Sequence, residues 1–388
     1  MDIRITPKKL SGTVTPPPSK SQAHRVLLAA LLSGGAVNIS NLSESQDIQA
    51  TQRCIDALKG AENGKLPLMD CGESGSTLRF LIPIALAVAG GGTFTGHGRL
   101  MERPQKPYFD IFDEKGITYK QSGSTLTVQG RLTPGIYTLP GNVSSQFVTG
   151  LLFALPLLEG DSEIRITSPL ESRGYVDMTI DTLNAFGVKV ENLDYEVFRV
   201  PGNQVYQAQN ITVEADWSQA AFWYAAAFLD NPVVLDGLNP RSVQGDVVVS
   251  ELYWKLARPG DTEIDISGCP DLLPPLAVMA AVRSGTTRFT GGARLRIKES
   301  DRLTSVCRLL TALGGSAEEG ADSLTVFGGT LTGGTVDGAN DHRIVMAAAI
   351  ATTACTERVT ILGAQAVNKS YPDFFDVYKQ LGGDVHVL

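Results

Sequence analysis

Asp216-Trp217-Ser218-Gln219-Ala220-Ala221-Phe222-Trp223-Tyr224-Ala225-Ala226-Ala227 sets a short polar start against a run of residues with almost no polar face. Asp is a preferred N-cap residue, so a helix is expected to begin at Asp216. A helix that is apolar on every side belongs inside a core. Five further stretches have the same form, with starts at Ser19, Ser74, Ser144, Asp271 and Asp341. Asp216 lies 197 residues after Ser19, Asp271 lies 197 after Ser74, and Asp341 lies 197 after Ser144. Three identical offsets argue against chance. The chain reads as two related halves, each built from three related units.

Every buried helix is followed by a turn and a strand-like segment, at residues 36–39, 93–95, 163–166, 233–235, 287–290 and 359–362. These segments mix β-branched residues with period-two alternation. A second helix follows, with an Asp near its start: Asp47, Asp110, Asp177, Asp246, Asp301 or Asp373. Four of these helices end at a glycine in C-cap position, Gly60, Gly187, Gly314 or Gly382. Further strand-like pieces, such as 188–190 and 324–326, close most units. The predicted fold is α/β, with three buried helices per half and sheets and outer helices around them. The boundary between halves falls near Val213-Glu214-Ala215-Asp216, and Pro16-Pro17-Pro18 forms a stiff extended connector. The expected lobes are 19–214, and 1–18 together with 215–388.

At 388 residues, 43% apolar and 19% charged, the chain has the composition of a globular protein with substantial cores. A net charge of −8 argues against a general nucleic-acid binder, which carries a basic face. The five cysteines form no C-x-x-C pair and no metal-ligand spacing, a pattern of free thiols in a reducing compartment. The first residues, Met1 to Lys9, lack the apolar region of a signal peptide. The longest apolar run, residues 80–89, is too short to span a bilayer and contains Pro83. The expectation is a soluble cytoplasmic protein with no nucleic-acid or membrane partner.

The polar starts carry the chemistry. Helix N-termini present free N–H groups and partial positive charge, so they suit anions. Pro18-Ser19-Lys20-Ser21-Gln22-Ala23-His24-Arg25 places Ser21 and Arg25 four residues apart on one helical face. Gly72-Glu73-Ser74-Gly75-Ser76-Thr77-Leu78-Arg79 puts small residues at a helix start, where a ligand can approach the backbone. Without a Lys after the second glycine it is no Walker loop. Asn142-Val143-Ser144-Ser145-Gln146 offers two hydroxyls suited to phosphate oxygens. Arg296-Ile297-Lys298-Glu299-Ser300-Asp301-Arg302-Leu303 opens an outer helix, with Glu299 as an acid/base candidate and Lys298 and Arg302 able to hold a substrate. Asn340-Asp341-His342-Arg343 and Asn368-Lys369-Ser370-Tyr371-Pro372-Asp373-Phe374 complete the set.

In this order the motifs resemble those of the 5-enolpyruvylshikimate-3-phosphate synthase family, over nearly the whole chain. The resemblance implies two lobes, each an inside-out α/β barrel of three units, closing on substrates between them. It implies transfer of the enolpyruvyl group of phosphoenolpyruvate to the 5-hydroxyl of shikimate 3-phosphate, with release of phosphate. The route is addition and elimination through a tetrahedral intermediate, without metal or organic cofactor, in a monomer of the aromatic amino-acid pathway. Carried over by position, Ser144, Ser145 and Ser172 hold the shikimate phosphate. Ser21, Arg25, Gln146, Tyr175, Asp271 and Lys298, with Lys20 beside them, fix the rest of that substrate. Lys20, Gly75, Arg103, Gln146, Arg302, Arg343 and Lys369 take phosphoenolpyruvate. Asp271 and Glu299 exchange protons with the 5-hydroxyl and the methylene carbon, assisted by Lys20.

Two residues depart from the family pattern. Glu73 stands where Asn is common and Ser76 where Thr is common. A carboxylate beside phosphoenolpyruvate repels it unless Glu73 turns away or pairs with a cation. The first-to-second and fourth-to-fifth starts are 55 residues apart, against 70 or more elsewhere, so strands are missing from matching places in both halves. The alternatives are the sister transferase acting on UDP-N-acetylglucosamine and a non-catalytic binder of phosphorylated metabolites. The sister enzyme typically carries a reactive Cys in the region corresponding to 90–103, and none lies there. Lys20, Asp271 and Glu299 argue against the binder.

Overall fold

The computed structural model describes residues 1–61 and 64–388. They form two compact units, Pro18–Glu214, and Met1–Pro17 with Ala215–Leu388. The first unit contains α1 (Lys20–Ser33), α2 (Gln46–Lys59), α3 (Gly75–Val88), α4 (Lys106–Lys115), α5 (Ser145–Ala154) and α6 (Arg173–Ala185). The second contains α7 (Trp217–Phe228), α8 (Val249–Leu256), α9 (Leu273–Val282), α10 (Arg302–Ala312), α11 (His342–Ala351) and α12 (Phe374–Gln380). Odd-numbered helices are the buried ones. In α3 every residue from Thr77 to Leu86 is buried, and in α11 every residue is. Even-numbered helices cover the outside with one apolar stripe: α2 buries Ile48, Thr51, Ile55 and Leu58. No helix among the described residues is long and apolar enough to cross a membrane.

Five of the six expected starts are true caps. Ser19 Oγ accepts from Gln22 N–H (3.4 Å), Ser74 Oγ from Thr77 N–H (3.2 Å), and Asp216 Oδ1 from Gln219 N–H (2.9 Å). Ser144 Oγ and Asp341 Oδ1 accept from N–H groups two residues on, at 3.3 and 3.0 Å. Asp271 departs from the expectation. It lies in the 3₁₀ turn Pro270–Leu272, and α9 begins after it with Leu272 in cap position. Pro274 and Pro275 in the first turn of α9 have no N–H to be capped. The Asp271 carboxylate is drawn to arginines instead.

The outer-helix acids also differ from a uniform pattern. Asp301 caps α10 through Thr304 N–H (3.2 Å), whereas Asp110 and Asp177 sit one turn inside α4 and α6. Asp246 lies in the 3₁₀ turn Gly245–Val248 that leads into α8. Gly187, Gly314 and Gly382 follow their helices with φ of 79°, 82° and 95°, while Gly60 occupies the C-cap itself at φ −83°. The strand expected at 188–190 does not form. Val188 N–H bonds back to Leu183 O (2.9 Å), completing the end of α6, and the strand begins only at Glu191.

Among the described residues, four of the six sheets share one pattern: four strands, with one parallel and then two antiparallel pairings. In the first unit these are Leu68–Asp70, Gly91–Thr95, Thr125–Gln129, Thr118–Ser122, and Gly135–Leu139, Ser162–Ile166, Val197–Val200, Glu191–Leu193. In the second, Thr262–Asp265, Thr286–Thr290, Leu324–Phe327 and Ser316–Glu319 repeat it. The last sheet runs Gly334–Asp337, Val359–Leu362, Ile3–Thr6, Asp384–Val387, so the N-terminal strand fills its third place. The remaining two sheets have two parallel strands each, Ile39–Ser40 with Ile211–Thr212 and Gly12–Val14 with Val233–Leu235. They coincide with the two short 55-residue spacings.

Candidate active site

In the second unit, Arg302 opens α10 and is 1% exposed, yet it is fully paired. Its Nε donates to Asp341 Oδ2 (2.8 Å), its Nη1 to Asp271 Oδ1 (2.6 Å), and its Nη2 to Glu299 Oε2 (2.7 Å). Burial opposes this charge, but Asp341, Glu299 and Asp271 outweigh it and hold the guanidinium well above its ordinary pKa. Asp341 also accepts from Ser300 Oγ (3.0 Å), so one buried carboxylate both caps α11 and anchors the start of α10. The other oxygen of Asp271 faces Arg343 Nη2 (3.1 Å), and Lys298 Nζ stands 3.4 Å from Asp271 Oδ1. Burial pulls the Lys298 ammonium down to about 8, against the pull of Asp271. Lys369 joins the group through Nζ to Asn340 O (2.6 Å), the residue before the α11 cap. Asp271, Lys298, Glu299, Arg302, Arg343 and Lys369 therefore belong to one neighbourhood. Glu299 and Asp271 share a single guanidinium, which holds both carboxylates among cations.

The first unit brings its expected residues into linked groups. Arg25, 2% exposed, donates through Nε to Thr179 Oγ1 (2.8 Å), through Nη1 to Ser21 O (2.7 Å) and through Nη2 to Tyr175 O (2.7 Å). Burial lowers it to about 9. Tyr175 N–H in turn donates to Ser172 O (3.1 Å). Ser172 is buried and holds φ 55°, a left-handed conformation that costs a non-glycine residue about 1–3 kcal/mol. Ser144 caps α5, Ser145 is its first residue, and the Gln146 amide bridges two partners. Its Nε2 donates to Ser76 Oγ (3.0 Å) and its Oε1 accepts from Arg79 Nη1 (2.8 Å). Lys20 opens α1 with Nζ 2.7 Å from Asp47 Oδ2. Gly75 opens α3 beneath the Arg103 guanidinium.

A buried chain ties α1, α2 and α3 together. His24 Nδ1 lies 2.7 Å from Thr51 Oγ1, Thr51 Oγ1 lies 2.7 Å from Thr77 Oγ1, and Thr77 Oγ1 donates to Ser74 Oγ (2.7 Å). Burial, then Lys20 and Arg25, keep His24 well below its usual pKa and neutral. Asp47 and Arg79, which pair with Lys20 and Gln146, and Asp246, which the charges of Asp271 and Arg343 reach, have no role in the expected set. Their signals were present. Arg79 is a cation inside an apolar helix, and Asp47 and Asp246 are acids at helix entries.

The family model for EPSP synthase (3-phosphoshikimate 1-carboxyvinyltransferase) matches residues 5–378. The 3-phosphoshikimate 1-carboxyvinyltransferase of Clostridium acetobutylicum is 46% identical over 421 residues, covering 99% of this chain and 98% of the relative. The enzyme of that name from Clostridium novyi is 44% identical over 424 residues, with 98% of each covered. Among solved structures, EPSP synthase from Acinetobacter baumannii superposes with a TM-score of 0.79 at 24% identity, covering both chains in full. The enolpyruvyl transferase NikO from Streptomyces tendae gives 0.77 at 17% identity, covering 99% of this chain and 98% of its own. The structural matches establish a common fold, and the sequence matches go further: this chain belongs to the EPSP synthase (3-phosphoshikimate 1-carboxyvinyltransferase) family.

Proposed function

We propose that the chain transfers the enolpyruvyl group of phosphoenolpyruvate to the 5-hydroxyl of shikimate 3-phosphate and releases phosphate. The observation that carries this reading is the shared guanidinium of Arg302, which holds Asp271 and Glu299 side by side among Lys298 and Arg343. Addition requires a proton on the methylene carbon while the 5-oxygen attacks the adjacent carbon and loses its own proton. Elimination takes a proton back from the new methyl group as phosphate departs. Two carboxylates and a lysine that exchange protons suit both steps. Asp271 and Glu299 make these transfers, with Lys20 assisting.

Two phosphates and two carboxylates repel one another, so cations and helix N-termini must offset them. Ser144, Ser145 and Ser172 hold the phosphate of shikimate 3-phosphate. Ser21, Arg25, Gln146, Tyr175, Asp271 and Lys298 hold its ring substituents and carboxylate. Lys20, Gly75, Arg103, Gln146, Arg302, Arg343 and Lys369 hold phosphoenolpyruvate. The enzyme acts as a monomer in the cytoplasm, a setting supported by five free thiols.

The test is phosphate release with both substrates, repeated on Glu299→Gln. The carboxamide keeps an acceptor for Arg302 but carries no proton between atoms. The expected loss in kcat is about 10²–10⁴-fold, with shikimate 3-phosphate affinity by calorimetry within about threefold of the parent. Retention of more than about a tenth of parental kcat removes Glu299 from the acid/base role.

A further inference from the structure

The start of α3 and the loop after strand Gly91–Thr95 meet through two glycines, each of which accommodates a charged side chain. A Cβ placed on Gly75 would stand 2.6 Å from Arg103 Nη1 and 2.9 Å from its Cζ. A Cβ placed on Gly98 would overlap Glu73 Oε2 and stand 2.8 Å from its Cδ. The loop cation therefore lies on the helix start, and the carboxylate beside the helix start lies on the loop. Backbone bonds hold this arrangement, with His97 N–H donating to Gly72 O (2.7 Å) and Cys71 N–H to Thr95 O (2.9 Å). Gly98 also has φ 53°, a conformation glycine adopts without strain.

An N-terminus flanked by Arg103 attracts an anion, and a carboxylate two residues before Gly75 repels one. Both charges can serve one ligand only if the carboxylate is held aside. The geometry points to Glu73 and Gly98 as a specificity-determining pair: Gly98 receives the Glu73 carboxylate and keeps the α3 start open to the carboxylate- and phosphate-bearing cosubstrate. This rests on the function proposed above. Glu73 acts on the ligand through its charge and position, and it exchanges no proton.

Phosphate release by the parent protein tests the underlying function by itself. The pair is tested by KM ratios for Glu73→Gln, Gly98→Ala and the double variant, at low and high salt. Gln has the size of Glu without its charge, so the added methyl group displaces either side chain but only one of them carries repulsion with it. Gly98→Ala is expected to raise the phosphoenolpyruvate KM about tenfold, with the shikimate 3-phosphate KM within about twofold and the increase smaller at high salt. Glu73→Gln alone should change the phosphoenolpyruvate KM less than about threefold, and Gly98→Ala on top of it should add less than about threefold. An equal increase in both backgrounds overturns the pair, because the effect is then steric. A tenfold fall in that KM on Glu73→Gln alone also overturns it, because the carboxylate then faces the ligand. Should alanine at φ 53° prevent folding, Gly98→Asn puts the same question with a residue that tolerates this conformation.

Discussion

Asp246 shows how much a single buried residue can make stability depend on pH. It is 4% exposed. Burial, reinforced by Asp271 and opposed by Arg343, raises its carboxyl to about 7. The unfolded chain releases that proton near pH 3.9, so between these values the folded state binds the extra proton. The stabilisation is fully present below about pH 4 and is lost as pH rises through about 7. Lys298, depressed to about 8, changes its charge mainly above that window. Asp246→Asn keeps the size and polarity of the side chain and removes the ionisation. Thermal melts at pH 5 and pH 8 should therefore show a smaller drop for the variant than for the parent, with the variant melting higher at pH 8. Parallel drops would place the pH dependence elsewhere.

Among the elements, two caps that look alike in sequence differ in what they hold. Asp216 serves α7 through the Gln219 N–H bond, whereas Asp341 serves α11 and also binds the buried Arg302. Losing a cap costs about 0.5–2 kcal/mol. Breaking a buried ion pair by removing one partner costs about 3–5 kcal/mol. Asp216→Ala should fall in the first range and Asp341→Ala in the second. Trp217, Trp223 and Trp254 all lie in the same unit as both aspartates, so urea unfolding followed by tryptophan fluorescence reports that unit. Equal losses would mean that the Asp341–Arg302 contact adds nothing beyond the cap. The caps themselves were legible because they involve a residue and its neighbours two or three positions on. Asp271 was misread as a cap because its partners, Arg302 and Arg343, come from helices far along the chain.

For the whole molecule, the division of the chain predicts an asymmetry between fragments. The unit Pro18–Glu214 is one continuous segment with its own core, which includes Phe80, Leu151 and Phe198. The other unit needs Met1–Pro17. Ile3–Thr6 pairs with Val359–Leu362 on one side and Asp384–Val387 on the other, and Gly12–Val14 pairs with Val233–Leu235. A fragment of residues 18–214 should fold cooperatively by circular dichroism and urea titration. A fragment of residues 215–388 should not, until a peptide of residues 1–17 restores the missing strands. Cooperative folding of residues 215–388 alone would mean that the strand pairings of Ile3–Thr6 are dispensable. The site divides in the same way. Its residue types and their order were readable, but the sharing of Arg302 between Asp271 and Glu299, and the resting of Glu73 on Gly98, were not.

By itself the sequence determined the number, order and burial of the six inner helices, the two-fold repeat and the polar clusters at the helix starts. Those features are set by capping and apolar periodicity, which act over a few residues and leave a trace in the local pattern. The family motifs added the family to which the chain belongs. Only the tertiary structure decided which charges pair, why Asp271 caps nothing and how Ile3 comes to lie opposite Val387. Contacts of this kind join residues distant in the chain, and their energies depend on burial and distance, neither of which a linear pattern records.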